Sequence, residues 1–274
     1  MEKVRAILLT ILLVMALVNI PIYTLDNSIN IVSTSQPNNI TITLDNVYIE
    51  PDDTLLPHLY DWRLDGTDDY VYFSSVPIAV SDYVVFEVGY KYTGSITDDT
   101  SHYLFITPTT RLTIDNRVSI NRQGGLVSLT YNESGTKNYE WWGNNLVNNQ
   151  WQNATLEINL TDTVLYLDGS FIKSIAHSDW TDIKDTSYIY IGCYPDSYFF
   201  IGEISYLIIK KQNIEFLADP TFYNGTHYID PINGYIGTPY GGVERVPANE
   251  TWLWLVKDLY NDGYVHLKFF PIYS

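Results

Sequence analysis

The sequence predicts an all-β fold, an antiparallel sandwich, and three observations predict it. From about Trp62 to Lys211, short runs rich in β-branched and aromatic residues recur at intervals of about 10–15 residues, the spacing of a sandwich or barrel. The breaks between them carry hairpin chemistry, as in Leu-Asp-Gly-Ser at 167–170 and Gln-Gly-Gly at 123–125. Apolar periodicity at 3.6 residues is almost absent.

Taken in order, the chain opens on Lys3 and Arg5 ahead of an apolar run to Ile20. This is the form of a signal peptide over 1–22, or of a retained membrane anchor. Residues 23–61 read as a polar tether with one strand, Ile40–Leu44. The strand-like runs follow: Tyr70–Phe73, Tyr83–Tyr90, Tyr103–Ile106, Arg117–Ile120, Leu126–Tyr131, Ala154–Leu160, Val164–Leu167, Phe171–Ile175, Ser187–Gly192 and Phe199–Lys210. The tail, 212–274, is an aromatic-rich extension studded with Pro and Gly turns. Within it, Trp252, Leu255, Val256 and Leu259 would suit a helix behind Asn249. Asn261-Asp262-Gly263 between two aromatic runs suits a hairpin, the reading adopted here.

Composition narrows the function. Acidic residues number 32 against 15 basic, a net charge of −17, which repels nucleic acid. Aromatics make up 15% and charged residues only 17%, too much apolar surface for a disordered chain. One cysteine, Cys193, excludes an intrachain disulfide framework and reads as a small buried hydrophobe. The six Asn-x-Ser/Thr sequons, at Asn39, Asn132, Asn153, Asn159, Asn224 and Asn249, are candidate glycosylation sites in an exported chain.

Four segments in order resemble the concanavalin A-like superfamily, and within it the laminin G-like and pentraxin-like modules. They are Leu64-Asp-Gly-Thr-Asp-Asp-Tyr-Val71, Trp151-Gln-Asn-Ala-Thr-Leu156, Leu165-Tyr-Leu-Asp-Gly169, and Ile191-Gly192 with Phe200-Ile-Gly-Glu-Ile204. The resemblance implies a jelly-roll sandwich over 62–211 and places Trp151 in its core. Asp168-Gly169 would make a tight turn, and Gly202 would allow a close strand approach. Many members bind calcium, so the resemblance also directs attention to loop carboxylates.

Hydrolases of this fold carry a Glu-x-Asp-x-Glu strand, and none occurs here. Neither does Gly-x-Ser-x-Gly, His-Glu-x-x-His or a phosphate loop, so the expectation is a protein without catalysis and a glycoside hydrolase is the distant alternative. For calcium, the oxygen-rich candidates are Asp65, Asp68 and Asp69 with Asp98 and Asp99; Asp179, Asp182 and Asp185 recur without EF-hand spacing. For a sugar, the candidate is Trp141 beside Trp142, because adjacent residues of a strand face opposite ways and one indole is left for a platform. Glu140, Asn144 and Asn145 would supply hydrogen bonds. The reading is an exported surface binding or adhesion protein whose partner is a glycan or a surface protein, with the membrane met only through the N-terminal segment. The alternative is a self-assembling structural subunit, with Ile40–Leu44 or Tyr264–Phe270 as the donated strand.

Overall fold

The computed structural model describes residues 31–32, 38–42, 54–195, 197–211, 214–256 and 264–273. The expected leader over 1–22 lies outside the described residues. Among those described, there is no α-helix, and no helix is long and apolar enough to cross a membrane.

The strands in chain order are β1 (Ile31–Val32), β2 (Asn38–Ile42), β3 (Thr54–Asp65), β4 (Tyr70–Phe73), β5 (Tyr83–Tyr92) and β6 (Ser101–Ile106). Next come β7 (Thr110–Asp115), β8 (Gly125–Tyr131), β9 (Lys137–Gly143), β10 (Trp151–Asn159), β11 (Asp162–Leu167), β12 (Ser170–Ala176) and β13 (Ile189–Ile191). The last are β14 (Ile201–Lys210), β15 (Ile214–Ala218), β16 (Tyr228–Ile229), β17 (Ile236–Tyr240), β18 (Glu244–Val256) and β19 (Tyr264–Tyr273).

Contacts divide the chain into two compact units, and the larger holds Asp61–Lys211 and Glu215–Val246. It is a sandwich of two antiparallel sheets. One runs β3–β14–β5–β10–β11–β12, with β15 also paired to β14; the other runs β16–β17–β4–β13–β6–β7–β8–β9. Period-two alternation builds the layer between them. On β10 the even positions Ala154, Leu156 and Ile158 are fully buried, and Leu112, Ile114 and Leu126 face them from the other sheet. Phe86 of β5 stacks on Phe105 of β6 at 5.5 Å between centroids, and Trp62 meets the edge of Tyr228 at 5.2 Å. Trp151 falls on an odd position of β10 and is only half-buried. The alternation that buries Ala154 and Leu156 turns it outward, and the tryptophans of the core are Trp62, Trp142 and Trp180.

Two features anticipated in the sequence have physical form. Asp168 and Gly169 join β11 to β12 with φ of 49° and 74°, both positive as a two-residue hairpin of right-handed twist requires. Gly202 has φ of 143°, and a Cβ there would overlap the main-chain oxygen of Lys91 on β5. The run Arg117–Ile120 is not a strand: Val118–Ile120 form a 3-10 turn closed by Asn121 at φ 60°. Val118 and Ile120 are 43% and 48% exposed, so no burial holds them extended. The Val118 N–H instead donates to Asp99 Oδ1 at 3.0 Å.

In the other unit, β19 pairs antiparallel with both β18 and β2, and β2 with β1. The tail segment read as helix or hairpin is thus extended, with Thr251 opposite Phe269. Both strands suspected of donation have partners inside the chain.

Gly202→Ala should cost about 3 kcal/mol and lower the thermal midpoint by roughly 6–12 °C. An unchanged midpoint would mean that β14 does not depend on this approach to β5.

Candidate functional site

The outer face of the eight-stranded sheet is paved with tyrosine. Each strand that places an aliphatic residue inward on this sheet places its neighbour outward; the outward positions of β4 and β13 are aromatic, and β17 adds Tyr240 beside Thr238. Tyr72 stacks on Tyr190 at 4.2 Å and Tyr70 on Tyr240 at 4.6 Å, with Phe199 at 6.3 Å from Tyr70. These pairs follow the register, in which Tyr190 lies opposite Tyr72 and Tyr240 opposite Tyr70. Farther along, Tyr103 of β6 packs against Tyr194 and Tyr198 at 5.3 and 6.1 Å. Burial pushes the hydroxyls of Tyr103, Tyr188 and Tyr190 up, so they remain neutral donors and acceptors at physiological pH.

The paving ends on β9, where Tyr139 and Trp141 are two residues apart on the same face, 47% and 40% exposed. Trp141 lies over Gly125 of β8, where a Cβ would come within 2.6 Å of its Nε1. Arg122 sits over both rings, its guanidinium carbon 5.1 Å from the Tyr139 centroid and 5.9 Å from that of Trp141, and it donates to the Tyr139 hydroxyl. Arg117 and Arg122 are held by one carboxylate, Asp115, at 2.7 and 3.3 Å. Burial alone would raise the Asp115 pKa, but hydrogen bonds and charge from Arg117, with help from Arg122, bring it below the usual carboxylate range. Three loops brace this end. Leu146 N–H donates to Gly124 O at 3.1 Å, Asn148 Nδ2 to Gly94 O at 3.0 Å, and Asn116 Nδ2 to Tyr92 Oη at 2.8 Å.

The residues named from the sequence disperse around this face. Trp142, 4% exposed, points into the core and donates its indole N–H to Ser128 Oγ at 3.0 Å. Glu140 shares that inward side of β9, where burial raises its carboxyl despite the charge of Lys173. Asn145 braces its own loop through Trp142 O at 3.0 Å, and Asn144 is exposed. Asp65, Asp68 and Asp69 do converge, with carboxylate oxygens within 4.8 Å of one another. Asp98 and Asp99 stand elsewhere: Asp98 Oδ2 lies 2.6 Å from His102 Nε2, and Asp99 accepts the Val118 N–H. Among the sequons, Asn132 is 6% exposed and its Oδ1 accepts from Ser134 and Thr136. Asn153 Nδ2 donates to Glu87 and Tyr206, Asn159 Nδ2 to Asp162, and Asn224 is exposed. The side chains of Asn39 and Asn249 lie outside the described residues.

Tyr139, Arg117 and Arg122 escape a sequence reading because each looks like an ordinary surface residue until the strands are aligned. So do Arg111, Tyr131, Tyr188, Tyr194 and Lys184, which line a cavity of about 390 Å³ beside the tyrosine rows. The Gly-Gly at 124–125 was the one usable signal, since a side chain there would displace the indole of Trp141.

The folded-state pKa of Asp115 lies below its unfolded value, so its stabilisation is fully present above about pH 4 and is lost as pH falls through the folded pKa. Asp115→Asn should therefore cost about 1–3 kcal/mol at neutral pH. Urea midpoints of the two proteins should converge in acid. A gap that does not narrow at all as pH falls below the range of a free carboxylate would show that the carboxylate charge is not its source.

No protein-family model matches the chain, and no curated protein sequence matches it. Solved structures do. A candidate carbohydrate-binding protein from Bacteroides ovatus ATCC 8483 aligns with a TM-score of 0.53 at 12% identity, over 88% of this chain and 85% of that one. Domains LG4-5 of the mouse laminin alpha1 chain align at 0.43 and 15% identity over 58% of this chain, which spans 43% of theirs. A heptameric SAP-like pentraxin from Limulus polyphemus aligns at 0.44 and 11% identity, over 73% of this chain and 96% of its own. Two antiparallel sheets in this strand order, closed by β14 over Gly202, give the chain a jelly-roll sandwich fold, which it shares with the Bacteroides ovatus protein.

Proposed function

We propose that this sandwich is an exported surface protein that binds glycans along the outer face of its eight-stranded sheet and does not cleave them. The tyrosine paving carries the reading. Stacked, partly exposed phenol rings run from Tyr240 through Tyr70, Tyr72 and Tyr190, and the same sheet face ends on Tyr139 and Trp141. Such rings pack on the C–H face of a sugar, while their hydroxyls and neighbouring guanidinium groups satisfy its hydroxyls. Ring side chains have few torsions to freeze on binding, which suits a shallow open surface. Asp115, the carboxylate under Arg117 and Arg122, is engaged in ion pairs and so supports binding rather than acid–base chemistry. The shared fold with the Bacteroides ovatus protein, itself a candidate for carbohydrate binding, is in keeping with this.

Calcium would sit at the Asp65–Asp69 corner, and the fit is partial. Both oxygens of Asp69 accept main-chain N–H groups, from Asp65 at 2.9 Å and from Gly242. Asp65 Oδ1 likewise accepts the Thr67 N–H at 2.7 Å, so the three carboxylates offer few uncommitted oxygens to an ion that takes 6–8. Saturating calcium should raise the thermal midpoint of the full-length protein by a few degrees through preferential binding to the native state. A midpoint that ignores millimolar calcium would remove the metal from the reading.

Full-length protein applied to an array of neutral oligosaccharides should be retained by a subset. Trp141→Ala and Tyr190→Ala should each weaken that binding roughly tenfold, about 1.4 kcal/mol, with little change in thermal midpoint. Retention by no glycan, or affinities untouched by both substitutions, would overturn the proposal.

A further inference from the structure

The glycan reading leaves the sugar class open, and the cavity beside the tyrosine rows narrows it. Among the described residues Lys137 and Lys173 form no ion pair, but neither lines this cavity; two cations that do line it are also without one. Arg63, Arg117, Arg122, Lys91, Lys210 and Lys211 all have a carboxylate partner. Arg111 and Lys184 form no ion pair among the described residues, and both line the same cavity of about 390 Å³. Its volume suits one or two sugar rings. Arg111 is positioned without being neutralised: its guanidinium carbon lies 5.5 Å from the Tyr131 centroid and 5.2 Å from that of Tyr194, and it donates to the Tyr131 hydroxyl. Stacking between two phenols fixes the plane of the fork and leaves further N–H donors for a ligand. Lys184 is anchored from the same strand end, its own N–H donating to Tyr131 O at 3.1 Å. Tyr188 and Ser187 complete a wall of ring and hydroxyl.

We infer that this cavity holds an acidic sugar through its carboxylate, paired in bidentate fashion with Arg111 and supported by Lys184, while the tyrosines pack on its ring. The inference rests on the glycan reading and specifies it. A planar carboxylate matches the guanidinium fork, and burying it beside two unpaired cations relieves a local charge that the protein itself does not compensate. The net charge of −17 sets the other limit: a densely anionic chain would be repelled by the rest of the surface. The ligand is therefore a glycan with an isolated carboxylate, not a polysulfate.

The test is an array of matched glycans, each neutral, carboxylated, methyl-esterified at the same carboxylate, or polysulfated, probed with full-length protein. The carboxylated member should bind at least about tenfold more tightly than its neutral and esterified partners. Arg111→Gln should erase that preference while neutral glycans stay bound; Arg111→Lys should keep part of it, and Lys184→Gln should reduce it. The esterified member needs no variant and decides the question even if Arg111→Gln fails to fold. Equal affinity for carboxylated and neutral members, or a preference for polysulfated ones, would overturn this inference and leave the glycan reading standing. Binding to no member would remove the glycan reading itself.

Discussion

The two-residue period of a β-strand sends each residue of the eight-stranded sheet either into the sandwich or away from it, and the chain answers with two different alphabets. Inward it places Leu104, Leu112, Ile114, Leu126 and Ile189, all fully buried. Outward, on β4 and β13, it places tyrosine. The register then does the rest, because residues opposite one another on neighbouring strands must touch. Tyr72 and Tyr190 are far apart in the chain yet stack at 4.2 Å since β13 lies beside β4. A one-residue slip of β13 would exchange its alphabets, putting phenols in the core and Ile189 and Ile191 in water. Stability and the tyrosine face are thus consequences of the same pairing.

Charge is arranged on a similar principle of scarcity. Six of the described Lys and Arg side chains are tied to a carboxylate, and those pairs differ in weight. Arg63 with Glu244 is an exposed pair, 52% and 60% accessible, of the kind that contributes little. Asp115 is 1% accessible and ties two arginines, so removing it would strand a hydrogen-bonded cluster beneath Tyr139 and Trp141. Arg111 is held in place by aromatic rings instead of by a carboxylate. A guanidinium oriented in this way keeps its charge available, whereas one locked to an aspartate does not.

Much of the fold was legible because it is local. Asp168-Gly169 announces its hairpin, Gly202 its close approach, and the doublet Trp141-Trp142 its division between two faces. Errors arose where alternation had to be phased against distant strands. The resemblance points Trp151 inward, but Ala154, Leu156 and Ile158 own the buried phase of β10. Arg117–Ile120 has the residues of a strand and lacks a partner to pair with, so Asp115 and Asp99 fold it into a turn. The tyrosine paving could be suspected from 24 tyrosines, though not located. Its members come from β4, β6, β13 and β17, and their adjacency is a property of strand order. The cavity is less legible still, since Arg111, Tyr131, Lys184 and Tyr194 reach it from four separate segments.

Why tyrosine was placed there, and not a more apolar residue, has a physical answer. An outward row of leucine or phenylalanine on a wide sheet would form a contiguous apolar patch, a surface that drives aggregation. Tyrosine presents a comparable ring face yet keeps a hydroxyl at the water boundary, so the unliganded face remains solvated. Cross-strand stacking fixes the rings before any ligand arrives, which lowers the ordering cost of binding. The net charge of −17 favours solubility and repels anions over most of the surface. It also ensures that an anion reaches this face only where a local cation outweighs that repulsion. On the proposed reading, paving and charge act together: the rings make the face adhesive, and the convergence of Arg111 and Lys184 on one cavity makes it selective.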